Sequence, residues 1–89
     1  MSVRVPDHVH HVDDSRNVVV MNADNGRVFG LDNSGALIWR TLAETGSEDV
    51  AARAIADRYG ITDDRARTDV RAFVDQLVEQ ELLVRGEAE

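Results

Sequence analysis

The chain has 89 residues, of which 43% are hydrophobic and 30% charged, and this length fits one domain with a thin core. It contains no cysteine, which excludes disulfides, thiolate catalysis and cysteine metal ligands. The formal net charge is −7 and all ten basic residues are arginines, so nucleic acid is repelled unless the arginines cluster. No apolar run reaches membrane-spanning length and no signal peptide begins the chain, so we expect a cytoplasmic protein without a membrane partner.

The first third of the chain predicts a three-stranded antiparallel sheet. Residues 3–12 alternate as a strand does, and Pro6 limits the pairing around it. A turn is expected over residues 13–17, a β-branched strand over 18–21 and a second turn over 22–26. The turn signal Asp24-Asn25-Gly26 then returns the chain along an edge strand, residues 27–31.

The remainder predicts three helices. The first spans about 34–44, with Asn33 or Ser34 as its N-cap and Gly46 after its end. The second spans about 48–59 between Ser47 and Gly60, and the third spans about 63–80 after the N-cap Thr62. Residues 82–84 form a short apolar tail, and the polar end 85–89 is expected to fray.

The element order is therefore βββααα, an α+β arrangement in a single domain over residues 1–89, ordered over about 3–84. The helices at 48–59 and 63–80, joined by a tight turn, look like a helix-turn-helix unit. Trp39 is expected to anchor the first helix to the sheet.

The third helix carries a wide apolar stripe. Phe73 and Leu77 are expected in the core, and Val70 and Val74 at the exposed rim of this stripe. Arg67 and Arg71 lie one turn apart on the same helix and allow two interpretations. They attract acidic ligand residues, or they pair with carboxylates of this chain.

No residue pattern points to catalysis. The histidines at positions 8, 10 and 11 suggest a metal site, but no third ligand at a fixed spacing accompanies them, so solvent-facing histidines are expected. No serine has a general base paired with it. The sequence thus predicts no enzyme, no metal and no cofactor.

Several segments together resemble a known family. These are the hairpin, the strand Gly-Arg-Val-Phe-Gly-Leu-Asp at 26–32, the helix start Gly-Ala-Leu-Ile-Trp-Arg-Thr-Leu at 35–42, and Asp-Val-Arg-Ala-Phe-Val-Asp-Gln-Leu at 69–77 before Leu82-Leu83. In this order they look like PqqD-like domains, the recognition elements for ribosomally synthesised precursor peptides. Ile38-Trp39 and Tyr59-Gly60 are most similar to the free-standing members of lasso peptide biosynthesis.

The resemblance implies a winged helix-turn-helix without catalysis of its own. It implies that the leader of a precursor peptide adds as a strand beside the third strand and lies in a groove against the third helix. It further implies delivery to a cysteine-type leader peptidase and then a cyclase. Carried over by position, the peptide-binding residues are Arg27, Val28, Phe29, Gly30, Leu31, Arg67, Val70, Arg71 and Val74. Members often have glycine before the final Leu-Leu, where this chain has Glu81.

Two other functions fit the same architecture. One is a winged-helix DNA-binding regulator, and the other is a PqqD-like chaperone for a different peptide-modifying enzyme. Charge argues against DNA, because the third helix carries Asp63, Asp64, Asp69 and Asp75 beside its arginines, and these acids oppose phosphate contacts. Without the resemblance, residues 27–31 are better described as an ordinary protected edge strand than as a docking edge.

Overall fold

The computed structural model describes residues 2–14 and 16–86. Its strands are β1 (Val3–Arg4), β2 (Val9–Asp14), β3 (Asn17–Asn22), β4 (Arg27–Asp32) and β5 (Val84–Arg85), and its helices are α1 (Asn33–Thr45), α2 (Glu48–Tyr59) and α3 (Asp63–Glu79). The predicted α+β class is confirmed, with three antiparallel strands followed by three helices. The expectations for Ser15 and for residues 87–89 lie outside the described residues.

The main sheet is a meander in the order β2-β3-β4, and β4 is one of its edges. Val20, in the centre, faces His11 on one side and Phe29 on the other. The turn after β3 is held by Asn22, whose carbonyl oxygen accepts from the Gly26 N–H at 2.8 Å and whose side-chain oxygen accepts from the Asp24 N–H at 2.9 Å. These local bonds fix the register of β4.

The prediction of one strand over residues 3–12 is wrong, because the chain breaks around Pro6 into β1 and β2. β1 pairs with β5 in a separate two-stranded sheet. The expectation that the chain frays from Arg85 onward is also wrong at that residue. Arg85 lies in β5 and bonds to Glu48 of α2 and Asp75 of α3, which ties the C-terminal strand to both helices.

Local caps set most helix ends. Ser47 and Thr62 accept from backbone N–H groups three residues on, and Gly46 and Gly60 take the left-handed conformation that ends α1 and α2. The predicted cap of α1 is wrong: the N-cap residue is Asp32, and no side chain caps the helix.

α1 packs against β3 and β4, and α2 packs against α1 and α3, so the core lies between the helices and one face of the meander. Trp39, predicted as an anchor, is fully buried, and so are Leu42, Ile55 and Leu82. α3 ends in a reversal where the Leu82 N–H bonds to the Leu77 carbonyl at 2.8 Å. This closure places Glu81 at a φ of 62°, the backbone conformation that glycine usually fills.

Candidate functional site: the β4 edge and the flank of α3

The free edge of β4 presents the backbone groups of alternate residues. Asp14 and Asn17 pair across the two-residue turn between β2 and β3, so Asn17 directs its backbone groups toward β2. By alternation, the backbone of β3 bonds to β4 at the pair Val18 and Leu31. The next bonded pairs are Val20 with Phe29 and Asn22 with Arg27. The N–H and C=O groups of Val28, Gly30 and Asp32 therefore point away from the sheet. These groups are the template on which another strand can pair.

Side chains along β4 alternate between two faces. Phe29 and Leu31 pair with the buried residues Val20 and Val18 and so face the helices. Val28 lies on the opposite, outer face, as does the Gly30 position. Because Val28 and Gly30 lie on the outer face, the residues of β4 that face the helices are Phe29 and Leu31.

One flank of α3 runs beside β4. Near the start of β4, the Arg27 Nη1 donates to the Gln80 Oε1 at 3.1 Å. Toward its end, the position that a Cβ would take at Gly35 lies 3.5 Å from Phe73 Cε1 and 3.9 Å from Leu31 Cβ. α3 is thus antiparallel to β4. By their i, i+3, i+7 spacing, Phe73, Gln76 and Gln80 share the flank of α3 that faces β4. We call this set the groove flank.

Arg67 and Arg71 lie on the other flank of α3. Arg67 lines a cleft of about 460 Å³ with Asp49 and Arg53 of α2, and Arg71 lines a smaller cavity with Glu48 and Asp49. The predicted placement of the two arginines in a wall opposite β4 is therefore wrong. The other interpretation, that the two arginines pair with carboxylates of this chain, is also wrong, because among the described residues neither forms an ion pair.

Val70 and Val74 are core residues in this structure. Their exposed fractions are 1% and 0%, so the prediction that they form the exposed rim is wrong. Leu77 is buried as expected, whereas Phe73 is half-buried and packs against the core from its edge. The sequence pattern predicts Phe73 in the core and Val74 at the rim, whereas in the structure Val74 is fully buried and Phe73 is half-buried.

Gly30 leaves a notch at the β4 edge. A cavity of about 310 Å³ is lined there by Val19, Gly30 and Leu31 together with Asn17 and Asp32. A Cβ built at Gly30 would meet no atom within 4 Å, so the absence of a side chain opens space for a ligand side chain instead of relieving a clash. We call this cavity the Gly30 notch.

The outer face of the meander carries an unpartnered apolar patch. Its four large side chains are Val12, Val19, Met21 and Val28, with exposed fractions of 68%, 42%, 39% and 60%. Val12 pairs with Val19 and Met21 with Val28, so the four are contiguous across three strands. Contiguous exposed apolar surface of this kind marks an interaction site. We call it the outer patch.

The histidines do not form a cluster. The imidazole of His8 bonds to the Glu81 carbonyl, and His11 turns toward the helices, where its Nδ1 accepts the indole N–H of Trp39 at 2.9 Å. His10 and His11 are exposed as expected, although His11 also bonds to Trp39, whereas His8 is half-buried. Within residues 2–14 and 16–86, no group of three histidine or acidic side chains is arranged to hold a metal ion. Nor is any described helix long and apolar enough to cross a membrane.

The fold of this chain is similar to the folds of two proteins solved with leader peptides bound. The profile of the PqqD family, described as coenzyme PQQ synthesis protein D, matches residues 17–83. The structure of TbiB1 in complex with the TbiA(beta) leader peptide is 30% identical, with a TM-score of 0.86 over 97% of this chain and 99% of that one. A lasso peptide synthetase B1 complexed with its leader peptide is 20% identical and has the same fold, with a TM-score of 0.84 over 94% of this chain and 99% of that one. Among curated proteins, none matches significantly.

The sequence narrows the groove flank to one of two sides of α3. The residues that border the buried stripe of α3 fall on two sides, and only one side can face β4. Phe73 distinguishes one of these sides, because it is the one aromatic residue of the helix and lies off the centre of the stripe. Which side faces the sheet depends on how α2 packs, and no local signal reports that.

Proposed function

Because the chain belongs to the PqqD family, we propose that it is a non-catalytic adaptor that binds the leader of a ribosomally synthesised precursor peptide. The leader adds as a strand to β4, and the adaptor delivers it to a leader peptidase and then a cyclase in lasso peptide biosynthesis. The likeness to TbiB1, a protein solved with a leader peptide bound, supports the ligand class.

The observation that carries the proposal is the unpaired edge of β4, which lies beside half-buried apolar side chains of β4 and α3 that would form the wall of a groove for the leader. Val28, Gly30 and Asp32 offer donors and acceptors, and Phe29, Leu31 and Phe73 line the groove beside them. Each added main-chain hydrogen bond contributes only about 1 kcal/mol net, so affinity also requires leader side chains in the groove and the Gly30 notch.

The outer patch supplies a second surface for the same function. A peptide strand beside β4 reaches the outer face only at the Gly30 notch, so a partner enzyme can contact the rest of the outer patch while the leader is held at the edge. We assign the outer patch to the leader peptidase, because the apolar area is contiguous and lies next to the strand that holds the substrate.

Charge favours a peptide over DNA as the ligand. On α3, the helix that would enter a DNA groove, Arg65 already pairs with Asp69 at 3.8 Å. Asp63 and Asp64 occupy its first turn, where a DNA-reading helix would approach the phosphates. A net charge of −7 adds long-range repulsion.

The test is calorimetric titration of the purified protein with a synthetic peptide of its cognate leader, and in parallel with a 20-base-pair DNA duplex. The proposal predicts a Kd of about 10 μM or lower for the leader and no salt-dependent binding of DNA. Mass spectrometry of the intact precursor should show cleavage only when the peptidase is added. DNA binding without leader binding, or cleavage by this protein alone, contradicts the proposal.

A further inference from the structure

A second cavity, of about 320 Å³, lies where β4 passes into α1. Three arginines from three separate elements line it: Arg16 from the turn between β2 and β3, Arg40 from α1 and Arg58 from α2. Asn17 and Asp32 line both this cavity and the Gly30 notch, so the two spaces adjoin at the end of β4. We call the second space the arginine cavity.

Two of its three guanidinium groups are available to a ligand. Arg40 is held by Asp13, with its Nε 2.9 Å from Asp13 Oδ1, and this hydrogen bond raises the pKa of Arg40. Among the described residues, Arg16 and Arg58 form no ion pair. Asp32 is the one carboxylate in the lining, so the cavity is positive within a chain whose net charge is −7.

The position of the cavity relative to β4 identifies what reaches it. A strand paired with Val28, Gly30 and Asp32 leaves the Gly30 notch at Asp32 and enters the arginine cavity directly. Guanidinium groups bind carboxylates through paired, charge-assisted hydrogen bonds, which are stronger than bonds between neutral groups.

We propose that the arginine cavity is a subsite for a carboxylate side chain of the leader, at the end of the bound strand that lies beside Asp32. This inference rests on the proposed function and adds to it a chemical requirement on the leader. The edge and the groove provide general capture of an extended apolar segment, and the arginine cavity selects leaders with an Asp or Glu just beyond that segment.

The experiment measures leader affinity for Arg16→Gln and Arg58→Gln, with Arg53→Gln as the control. All three arginines are exposed, and Arg53 lies on α2 in the cleft on the other flank of α3, away from β4. We expect each cavity variant to raise the leader Kd about tenfold or more, as loss of one charge-assisted contact does, and the control to change it less than about twofold. Circular dichroism should show all three folded.

A matched change in the leader completes the cycle. Each Asp and Glu of the leader is replaced in turn by its amide, and one replacement should weaken binding to the wild-type protein but not to Arg58→Gln. Inorganic phosphate at 10 mM is the probe for a free anion: if it binds the cavity and leader affinity is unchanged by both arginine substitutions, the cavity is an anion site separate from the leader and the inference is wrong. Leader binding unaffected by every amide replacement also overturns it, while the proposed function stands. If the wild-type protein does not bind the leader at all, the proposed function itself is refuted.

Discussion

Trp39 donates its indole N–H to the Nδ1 of His11 at 2.9 Å, and the two rings meet edge to face with centroids 5.5 Å apart. This contact joins the fully buried centre of α1 to the middle of β2. It shows how a strand histidine that resembles a surface residue in the sequence satisfies the one polar atom of the core tryptophan.

We predict that His11→Ala lowers the free energy of unfolding by about 1 kcal/mol or more, because the indole N–H of Trp39 loses its acceptor. His10→Ala is the control: His10 is the next residue along β2, lies on the outer face, and should change stability by less than about 0.5 kcal/mol. Urea denaturation followed by tryptophan fluorescence measures both. Equal effects would mean that the hydrogen bond contributes nothing to stability.

Glu81 carries backbone strain that a single substitution should relieve. Its φ of 62° is unfavourable for any residue with a Cβ, so Glu81→Gly should raise the free energy of unfolding by about 0.5–1 kcal/mol. Gln80→Gly is the matched control, since Gln80 has a φ of −85° and glycine there should destabilise by a similar amount. Thermal unfolding of the two variants tests whether glycine raises the stability at position 81 and lowers it at position 80.

The Gly30 notch should be sensitive to filling. Gly30→Leu places a side chain in open space, so the free protein should fold normally, but the space for a leader side chain is lost and the Kd for the leader should rise about tenfold or more. Val12→Leu, on the same outer face but on β2, should bind the leader as the wild type does. Fluorescence anisotropy with a labelled leader gives both affinities, and an unchanged Kd for folded Gly30→Leu would place the leader elsewhere.

The sequence predicted α2 and α3 closely because their caps are local: Ser47, Gly60 and Thr62 each set a helix end through bonds to residues within four positions. It could not predict the sheet of β1 and β5, since two-residue strands some eighty residues apart leave no local pattern. The edge strand was predicted correctly from its turn. The peptide-binding side of α3 was not predicted correctly. Arg67 and Phe73 border the same apolar stripe on opposite sides, and only tertiary packing decides which side meets β4.

The outer patch should affect processing but not capture. Val12→Asp puts a charge on the most exposed member of the patch, so docking of the leader peptidase should weaken and the initial rate of precursor cleavage should fall about tenfold or more, with leader affinity unchanged. Val50→Asp is the control, because Val50 is an exposed valine on α2 away from the sheet; with this variant the peptidase should cleave the precursor at the wild-type rate. Chromatography of the precursor and its product, with purified peptidase, gives both rates. Equal rates for the two variants would show that the outer patch does not contact the peptidase.

Strand addition to β4 is tested most directly by amide hydrogen exchange, read residue by residue by NMR with and without the leader. The N–H groups of Val28, Gly30 and Asp32 point away from the sheet in the free protein, whereas those of Phe29 and Leu31 already bond to β3. Leader binding should therefore slow exchange at 28, 30 and 32 and leave the other flank of α3, at Arg67 and Arg71, unaffected. Protection at Arg67 and Arg71 with unchanged exchange at Val28 and Gly30 would contradict capture at the β4 edge.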